Sequence, residues 1–206
     1  MTHGAAAVRA DRPLIVLLHG VGGQPSDMAS LADLVAAHDP DARVVVPPAA
    51  WPCDRGGSGF QWVSVDGITE DNRPARVRAA LPTFVGVIED LQRTHGATPA
   101  TTVLAGFSQG AIMALAACGD RFLARHVVAV AGRCAPLPDA WERRTMVSLV
   151  HGRMDRTVPV RHSEQAFERL TALGADVRLT VVPRAVHLLA PPLLEHAWQA
   201  ICQSFA

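Results

Sequence analysis

The chain has 206 residues, a length that fits one domain able to bury a core without disulfides or metal. Its 19 Lys and Arg balance 19 Asp and Glu, which argues against nucleic acid or an anionic membrane as the partner and favours a small, weakly charged one. No apolar run approaches about 18 residues, so we expect no membrane span. The four cysteines lack paired spacing and the amino terminus lacks a basic start before an apolar block, which together predict a cytoplasmic protein.

The first part of the chain predicts strands and helices in alternation. Residues 14–18 form a continuous apolar run, typical of a strand covered on both faces, and a loop with three glycines follows at residues 19–23. A helix should begin at Ser26 as its N-cap, and the next strand is predicted at residues 43–46. Residues 48–71 show no period but carry Trp, Phe and Gly together, so we expect a packed excursion over the site.

The rest of the chain continues the alternation. A long helix is predicted at residues 72–94, and Pro82 should kink it or divide it. Further strands are predicted at residues 101–105, 127–131, 146–150 and 177–182, and further helices at residues 111–118, 159–173 and 191–203. The pattern predicts an α/β fold with a mainly parallel central sheet flanked by helices and no large cap domain. We expect residues 1–206 to form a single domain, with a flexible segment at residues 1–12.

A G-x-S-x-G sequence, Gly106-Phe107-Ser108-Gln109-Gly110, lies between a predicted strand and a predicted helix. This arrangement is typical of a nucleophile elbow, in which a serine projects its hydroxyl from a sharp turn. The two glycines remove side chains that would clash with the neighbouring strand and helix. A helix-capping serine is the alternative interpretation.

Two further residues fit the chemistry that such a serine needs. Asp155 lies just beyond a predicted strand, and His187 lies in the loop after the last one. The order Ser108, Asp155, His187 is the one expected of an α/β-hydrolase. Ser108 would be the nucleophile, His187 the base that takes its proton, and Asp155 the carboxylate that orients the imidazole.

The nine histidines leave one alternative base open. His196, within the terminal helix, is the runner-up to His187. His19 and His151 end apolar strands before glycine and are better explained as loop-shaping residues, while His162 is too near Asp155 in sequence to come from a separate strand. The alternative acids are Asp139 and Asp176.

The oxyanion formed by serine attack needs donors that are fixed in advance. Backbone N–H groups suit this role. The residue after the nucleophile, Gln109, would supply one N–H, and the glycine-rich loop would supply the other through Val21. The glycines of that loop let it turn back over the elbow.

Four sequence blocks carry a resemblance to a known family. They are Leu17-Leu18-His19-Gly20-Val21-Gly22, Gln61-Trp62-Val63-Ser64, Gly106-Phe107-Ser108-Gln109-Gly110-Ala111, and His151-Gly152-Arg153-Met154-Asp155 with Val158-Pro159. In order and separation, the chain resembles the small phospholipase/carboxylesterase family of α/β-hydrolases, which includes acyl-protein thioesterases. The stretch of residues 61–77 more specifically resembles a bacterial branch of small carboxylesterases.

The resemblance implies a Ser108, Asp155 and His187 triad with Val21 and Gln109 as oxyanion donors. It also implies an acyl pocket bordered by Trp62, and the other apolar walls proposed for that pocket are Phe60 and Leu188. No metal and no cofactor is implied. The chain departs from the family pattern at Gly23, where an acidic residue is common, and at Val186, where glycine usually precedes the histidine.

These features predict a serine hydrolase that cleaves carboxylic esters or thioesters of short to medium acyl chains through an acyl-serine. A lysophospholipid or protein deacylase on the same fold is the alternative, and it would need an exposed apolar groove. The alternative of another class is a non-catalytic ligand-binding domain on a hydrolase scaffold. An apolar patch near the long loop would be the surface for a homodimer.

Overall fold

The computed structural model describes residues 12–119 and 121–204. The strands are β1 (Leu14–Leu18), β2 (Arg43–Val45), β3 (Trp51–Pro52), β4 (Phe60–Gln61), β5 (Thr102–Phe107), β6 (His126–Val130), β7 (Met146–Gly152) and β8 (Val177–Val182). The helices are α1 (Ala29–His38), α2 (Arg73–Thr94), α3 (Gln109–Ala117), α4 (Arg161–Ala172) and α5 (Leu193–Cys202).

Six strands form a central sheet in the order β2-β1-β5-β6-β7-β8, and every neighbouring pair is parallel. Strands β3 and β4 form a separate antiparallel pair within the long loop. Because the strands are parallel, their carboxyl ends lie at one edge of the sheet, where those of β5, β6 and β7 are neighbours. This edge is where the chain can gather reactive side chains.

Helices cover both faces of the sheet. Helices α2, α3 and α4 pack on one face, and α1 and α5 pack on the other. Alternate residues of β1 enter the two cores, since Leu14 and Val16 belong to the first cluster and Ile15 and Leu17 to the second. The expected α/β-hydrolase architecture, with a buried strand at residues 14–18, is confirmed.

One local prediction is wrong, and one of the two outcomes expected at Pro82 is excluded. Ser26 is not an N-cap, because a 3-10 helix at Pro25–Met28 precedes α1 and begins with the Gln24 N–H donating to the Asp27 carboxylate at 2.9 Å. Helix α2 is not divided at Pro82. Pro82 and Arg78, whose carbonyl loses its helical donor, are both exposed, so water can replace the missing hydrogen bond.

The expected flexible segment, residues 1–12, lies outside the described residues except for Arg12. Among residues 12–119 and 121–204, none of the helices combines the length and apolar character needed to cross a bilayer. The same described part of the chain holds no group of His, Cys, Asp and Glu that could bind a metal ion.

Candidate active site

Ser108 occupies a strained turn between β5 and α3, with φ 52° and ψ −111°. A side chain at positive φ costs of order 1–3 kcal/mol, and such strain is concentrated at functional sites. The flanking glycines allow the turn to pack closely. A Cβ at Gly110 would lie 2.3 Å from the Leu18 carbonyl oxygen, and one at Gly106 would lie 2.4 Å from the Ala111 nitrogen.

Three side chains from three different loops meet at this turn. His187 Nε2 lies 3.0 Å from Ser108 Oγ, and His187 Nδ1 lies 2.6 Å from Asp155 Oδ2. Because the carboxylate accepts, Nδ1 carries the hydrogen and Nε2 is left free to accept the serine proton. The other carboxylate oxygen accepts the N–H groups of Thr157 at 2.9 Å and Val158 at 2.8 Å, which fix the acid.

His151 lies behind this group and is fully buried. Its Nε2 is 2.7 Å from the Val158 carbonyl oxygen and therefore carries the hydrogen, while its Nδ1 accepts from the Ser163 hydroxyl at 2.7 Å. Burial lowers the pKa of His151, against the opposing effects of the Val158 carbonyl and of Asp155. The side chain is a neutral support of the turn at residues 155–158, as its assignment to loop shaping predicted.

His19 fixes the glycine-rich loop in a similar way. Its Nδ1–H donates to the Gly20 carbonyl at 2.7 Å, and its Nε2 accepts the Ala49 N–H at 3.0 Å. Burial lowers the pKa of His19, so this donor and acceptor pattern is held by a neutral ring. A Cβ at Gly20 would lie 3.4 Å from Ser108 Cβ, which places the loop against Ser108.

The two predicted oxyanion donors are available for a ligand. Among the described residues, neither the Val21 N–H nor the Gln109 N–H has a hydrogen-bond acceptor. Gln109 is the first residue of α3, where the helix leaves its N–H groups unpaired and carries partial positive charge.

The side chain of Gln109 has a role that the sequence analysis missed. Its Oε1 accepts the N–H groups of Trp62 at 2.6 Å and Val63 at 3.3 Å, and its Nε2 donates to the Val63 carbonyl at 2.7 Å. These bonds join the elbow to the long loop across more than forty positions of sequence, and no local pattern signals them.

The three predicted pocket residues lie in three different environments. Phe60 is half-buried and pairs through its backbone with Gly22 and Gly23 of the glycine-rich loop. Trp62 is only 1% exposed and packs its ring 5.3 Å from Phe84, centroid to centroid. Leu188 is 60% exposed on the rim beside His187.

Other apolar side chains extend this rim. Met154 and Val186 are about half exposed, and they are the neighbours in sequence of Asp155 and His187. A cleft of about 630 Å³ lies between the long loop and α2. Its walls include Gln61 and Val63, on either side of the buried Trp62, rather than Ser108 itself.

Comparisons with known proteins identify the family of the chain. A model of the phospholipase/carboxylesterase family matches residues 5–203. Esterase YpfH of Escherichia coli (strain K12) is 40% identical over 194 residues, which cover 92% of this chain and 83% of that protein. Among solved structures, esterase PE8 is 31% identical with a TM-score of 0.86, and the alignment covers 96% of this chain and 95% of that one.

More distant structures share the fold. The Bacillus cereus carboxylesterase is 18% identical with a TM-score of 0.79, over 96% of this chain and 91% of that one. Arabidopsis thaliana SOBER1 is 20% identical with a TM-score of 0.74, over 95% of this chain and 100% of that one. The family match spans nearly the whole chain and the nearer relatives are esterases. The chain therefore belongs to the phospholipase/carboxylesterase family of α/β-hydrolases and is a carboxylic ester hydrolase.

Proposed function

We propose that this enzyme cleaves carboxylic esters and thioesters of short to medium acyl chains through an acyl-serine intermediate on Ser108. The observation that carries the proposal is the continuous hydrogen-bonded path from Ser108 Oγ through His187 to Asp155. The strained backbone of Ser108 adds support, because it points the hydroxyl away from the regular strand and helix.

The chemistry follows from the positions of these atoms. His187 Nε2 takes the hydroxyl proton as Ser108 Oγ bonds to the substrate carbonyl carbon. The Val21 and Gln109 N–H groups would stabilise the oxyanion, which typically contributes about 10²–10³ in rate for each donor. His187 then protonates the leaving alcohol or thiol. In the second step His187 takes a proton from water as the water oxygen bonds to the acyl carbon. The bond from that carbon to Ser108 Oγ then breaks, His187 returns the proton to Oγ, and the carboxylic acid is released.

One observation favours a second candidate within the same chemistry. The exposed side chains of Met154, Val186 and Leu188 could hold a long acyl chain, as a lysophospholipid or protein deacylase would need. The non-catalytic binding domain is set aside, because the chain belongs to an enzyme family. All the proposed catalytic groups come from one chain, so we propose that residues 1–206 act as one domain and that a homodimer is not required. We also propose that the enzyme acts in the cytoplasm.

The test is hydrolysis of para-nitrophenyl esters from acetyl to dodecanoyl by wild type and by Ser108→Ala. Ser30→Ala, at an exposed position in α1, is the matched control. We expect Ser108→Ala to fold and to lose at least about 10³ in kcat/KM on every ester, and we expect wild type to prefer short or medium chains. Retained activity in folded Ser108→Ala would refute the mechanism, and a dodecanoyl optimum would favour the deacylase.

A further inference from the structure

A group of charged side chains lies at the sheet edge beside the candidate site and has no role in the proposed chemistry. Arg133, just after β6, has a side chain only 9% exposed, and Arg73 begins α2 with a side chain 19% exposed. Both guanidinium groups bind the single carboxylate of Glu70, whose own side chain is 66% exposed. One accessible carboxylate is thus shared by two largely buried cations.

The start of α4 adds further positive charge. Arg161 lies within electrostatic range of Arg133 and forms no ion pair with the described residues. Burial and the nearby Arg73 lower the pKa of Arg133, and burial and Arg133 lower the pKa of His162. Arg133 and Arg73 therefore share one glutamate and Arg161 lies near Arg133, so these four side chains carry an excess of positive charge although the whole chain has none.

Two donors in this group lack partners. The Nε–H groups of Arg133 and Arg73 are buried, and neither has a hydrogen-bond acceptor among the described residues. Buried donors in folded proteins nearly always have a partner, and a guanidinium presents its donors in a fork that matches a carboxylate. An acceptor such as a carboxylate oxygen would satisfy these donors, and an anion would also offset the local charge.

The end of β6, which leads to Arg133, is adjacent to the nucleophile. The Ser108 N–H donates to the Val130 carbonyl at the end of β6, at 2.9 Å. A Cβ at Gly132 would lie 3.5 Å from the Ser108 carbonyl oxygen, and Arg133 is the next residue. Strands β5, β6 and β7 are neighbours, so this group lies between the ends that carry Ser108 and Asp155.

We propose that Arg133, Arg73 and Arg161 form an anion-binding subsite beside Ser108, so that the preferred ester carries a carboxylate in its acyl or alcohol part. This inference rests on the proposed function, because it names a class of substrate for the same nucleophile. It departs from the expectation of a weakly charged partner, which used the net charge of the whole chain.

The test compares esters that differ in one charged group. Mono-para-nitrophenyl adipate carries a carboxylate at the end of a six-carbon acyl chain, and para-nitrophenyl hexanoate is its neutral match. The hexanoate ester of a carboxy-nitrophenol places the charge in the leaving group instead. The readout is kcat/KM for each anionic ester divided by kcat/KM for the neutral one.

We expect wild type to prefer at least one anionic ester, and Arg161→Gln and Arg133→Gln to lower that ratio about ten-fold by removing a charge-assisted contact. Arg93→Gln, an exposed arginine at the far end of α2, should not change it. If Arg133→Gln fails to fold, the exposed Arg161 decides the question. Equal ratios in wild type and Arg161→Gln for both anionic esters would overturn the subsite. The proposed function would still stand in that case if the turnover of the hexanoate ester depended on Ser108.

Discussion

Asp155 Oδ2 faces two histidines, with His187 Nδ1 at 2.6 Å and His151 Nε2 at 3.3 Å. The His151 hydrogen is directed mainly at the Val158 carbonyl, whose oxygen is nearer at 2.7 Å. His151 therefore ties the acid to the turn that follows it. A base on one side and a neutral support on the other hold the same carboxylate oxygen.

Replacing His151 should weaken both the fold and the acid. His151→Phe keeps the ring volume but leaves the Val158 carbonyl and the Ser163 hydroxyl without partners, so we expect the free energy of unfolding to fall by about 2–4 kcal/mol. With less support for Asp155, kcat should fall about ten-fold. Urea unfolding and ester kinetics measure the two effects. Ser163→Ala is the control, and we expect it to lower the free energy of unfolding by about 1 kcal/mol with little change in kcat. An unchanged kcat in His151→Phe would show that Asp155 does not need the support of His151.

Asp155→Asn should impair turnover far more than stability. The amide oxygen can keep the Thr157 and Val158 N–H groups, which turns the amide nitrogen toward His187 Nδ1. His187 must then carry its hydrogen on Nε2 and cannot accept the Ser108 proton, so kcat should fall by about 10⁴. Asp139→Asn, an exposed acid bound to Arg169, is the control in the same ester assay. A loss of less than about ten-fold in Asp155→Asn would assign the acid role elsewhere.

His126 should make stability depend on pH. It is buried between the hydroxyls of Ser148 and Ser204. Burial, with Arg125 and Arg178 nearby, lowers its pKa from 6.5 to about 4. Between these values the unfolded chain binds the proton and the folded one does not, so the stabilisation is complete above pH 6.5 and is lost as the pH falls toward 4.

The loss amounts to about 3 kcal/mol in the free energy of unfolding across this range. Urea unfolding at about pH 7.5 and about pH 4.5 would measure it in wild type and in His126→Gln, which cannot titrate. Other buried histidines with lowered pKa values, such as His19 and His151, act in the same direction in both proteins. The difference between the two proteins isolates His126, and parallel pH profiles would contradict the assignment.

Two glycine substitutions should have opposite signs. Gly86 lies inside α2 and a Cβ there meets nothing within 4 Å, so Gly86→Ala should raise the free energy of unfolding by about 0.5–1 kcal/mol. Gly110→Ala places its Cβ 2.3 Å from the Leu18 carbonyl oxygen, and backbone there must move, so we expect a loss of about 3 kcal/mol or more. Thermal unfolding compares them directly, and a tolerated Gly110→Ala would mean that the elbow is not closely packed.

Local sequence signals predicted the elements that are buried on both faces. The strand at residues 14–18 is continuous and apolar because α-helices cover it on both sides. The edge strand β8 was also found at residues 177–182, although most of its residues are only partly buried or exposed. The prediction of Ser26 as an N-cap was wrong because a 3-10 helix that begins with Pro25 precedes α1, which cap propensity alone does not reveal. The sequence could not decide between a kink and a division at Pro82, because the cost of the proline depends on exposure, which depends in turn on how α2 packs.

The candidate site, like the fold, could be predicted only in part from the sequence. The proximity of Ser108, Asp155 and His187 could be predicted because each follows a strand, and parallel strands bring their carboxyl ends to one edge. The contact between Arg133 and Glu70 could not, because it spans 63 positions and no local pattern links the two residues. Contacts of this kind depend on the tertiary arrangement of loops, which no periodicity encodes.

The bonds from the Gln109 side chain to Trp62 and Val63 have a dynamic consequence. Those two loop amides are buried and paired with the first residue of α3, so they can exchange with deuterium only when the elbow itself opens. Their protection should therefore match that of β5 rather than that of a surface loop. Any opening of the long loop should then involve its exposed residues, such as 54–58, while Trp62 and Val63 stay in place.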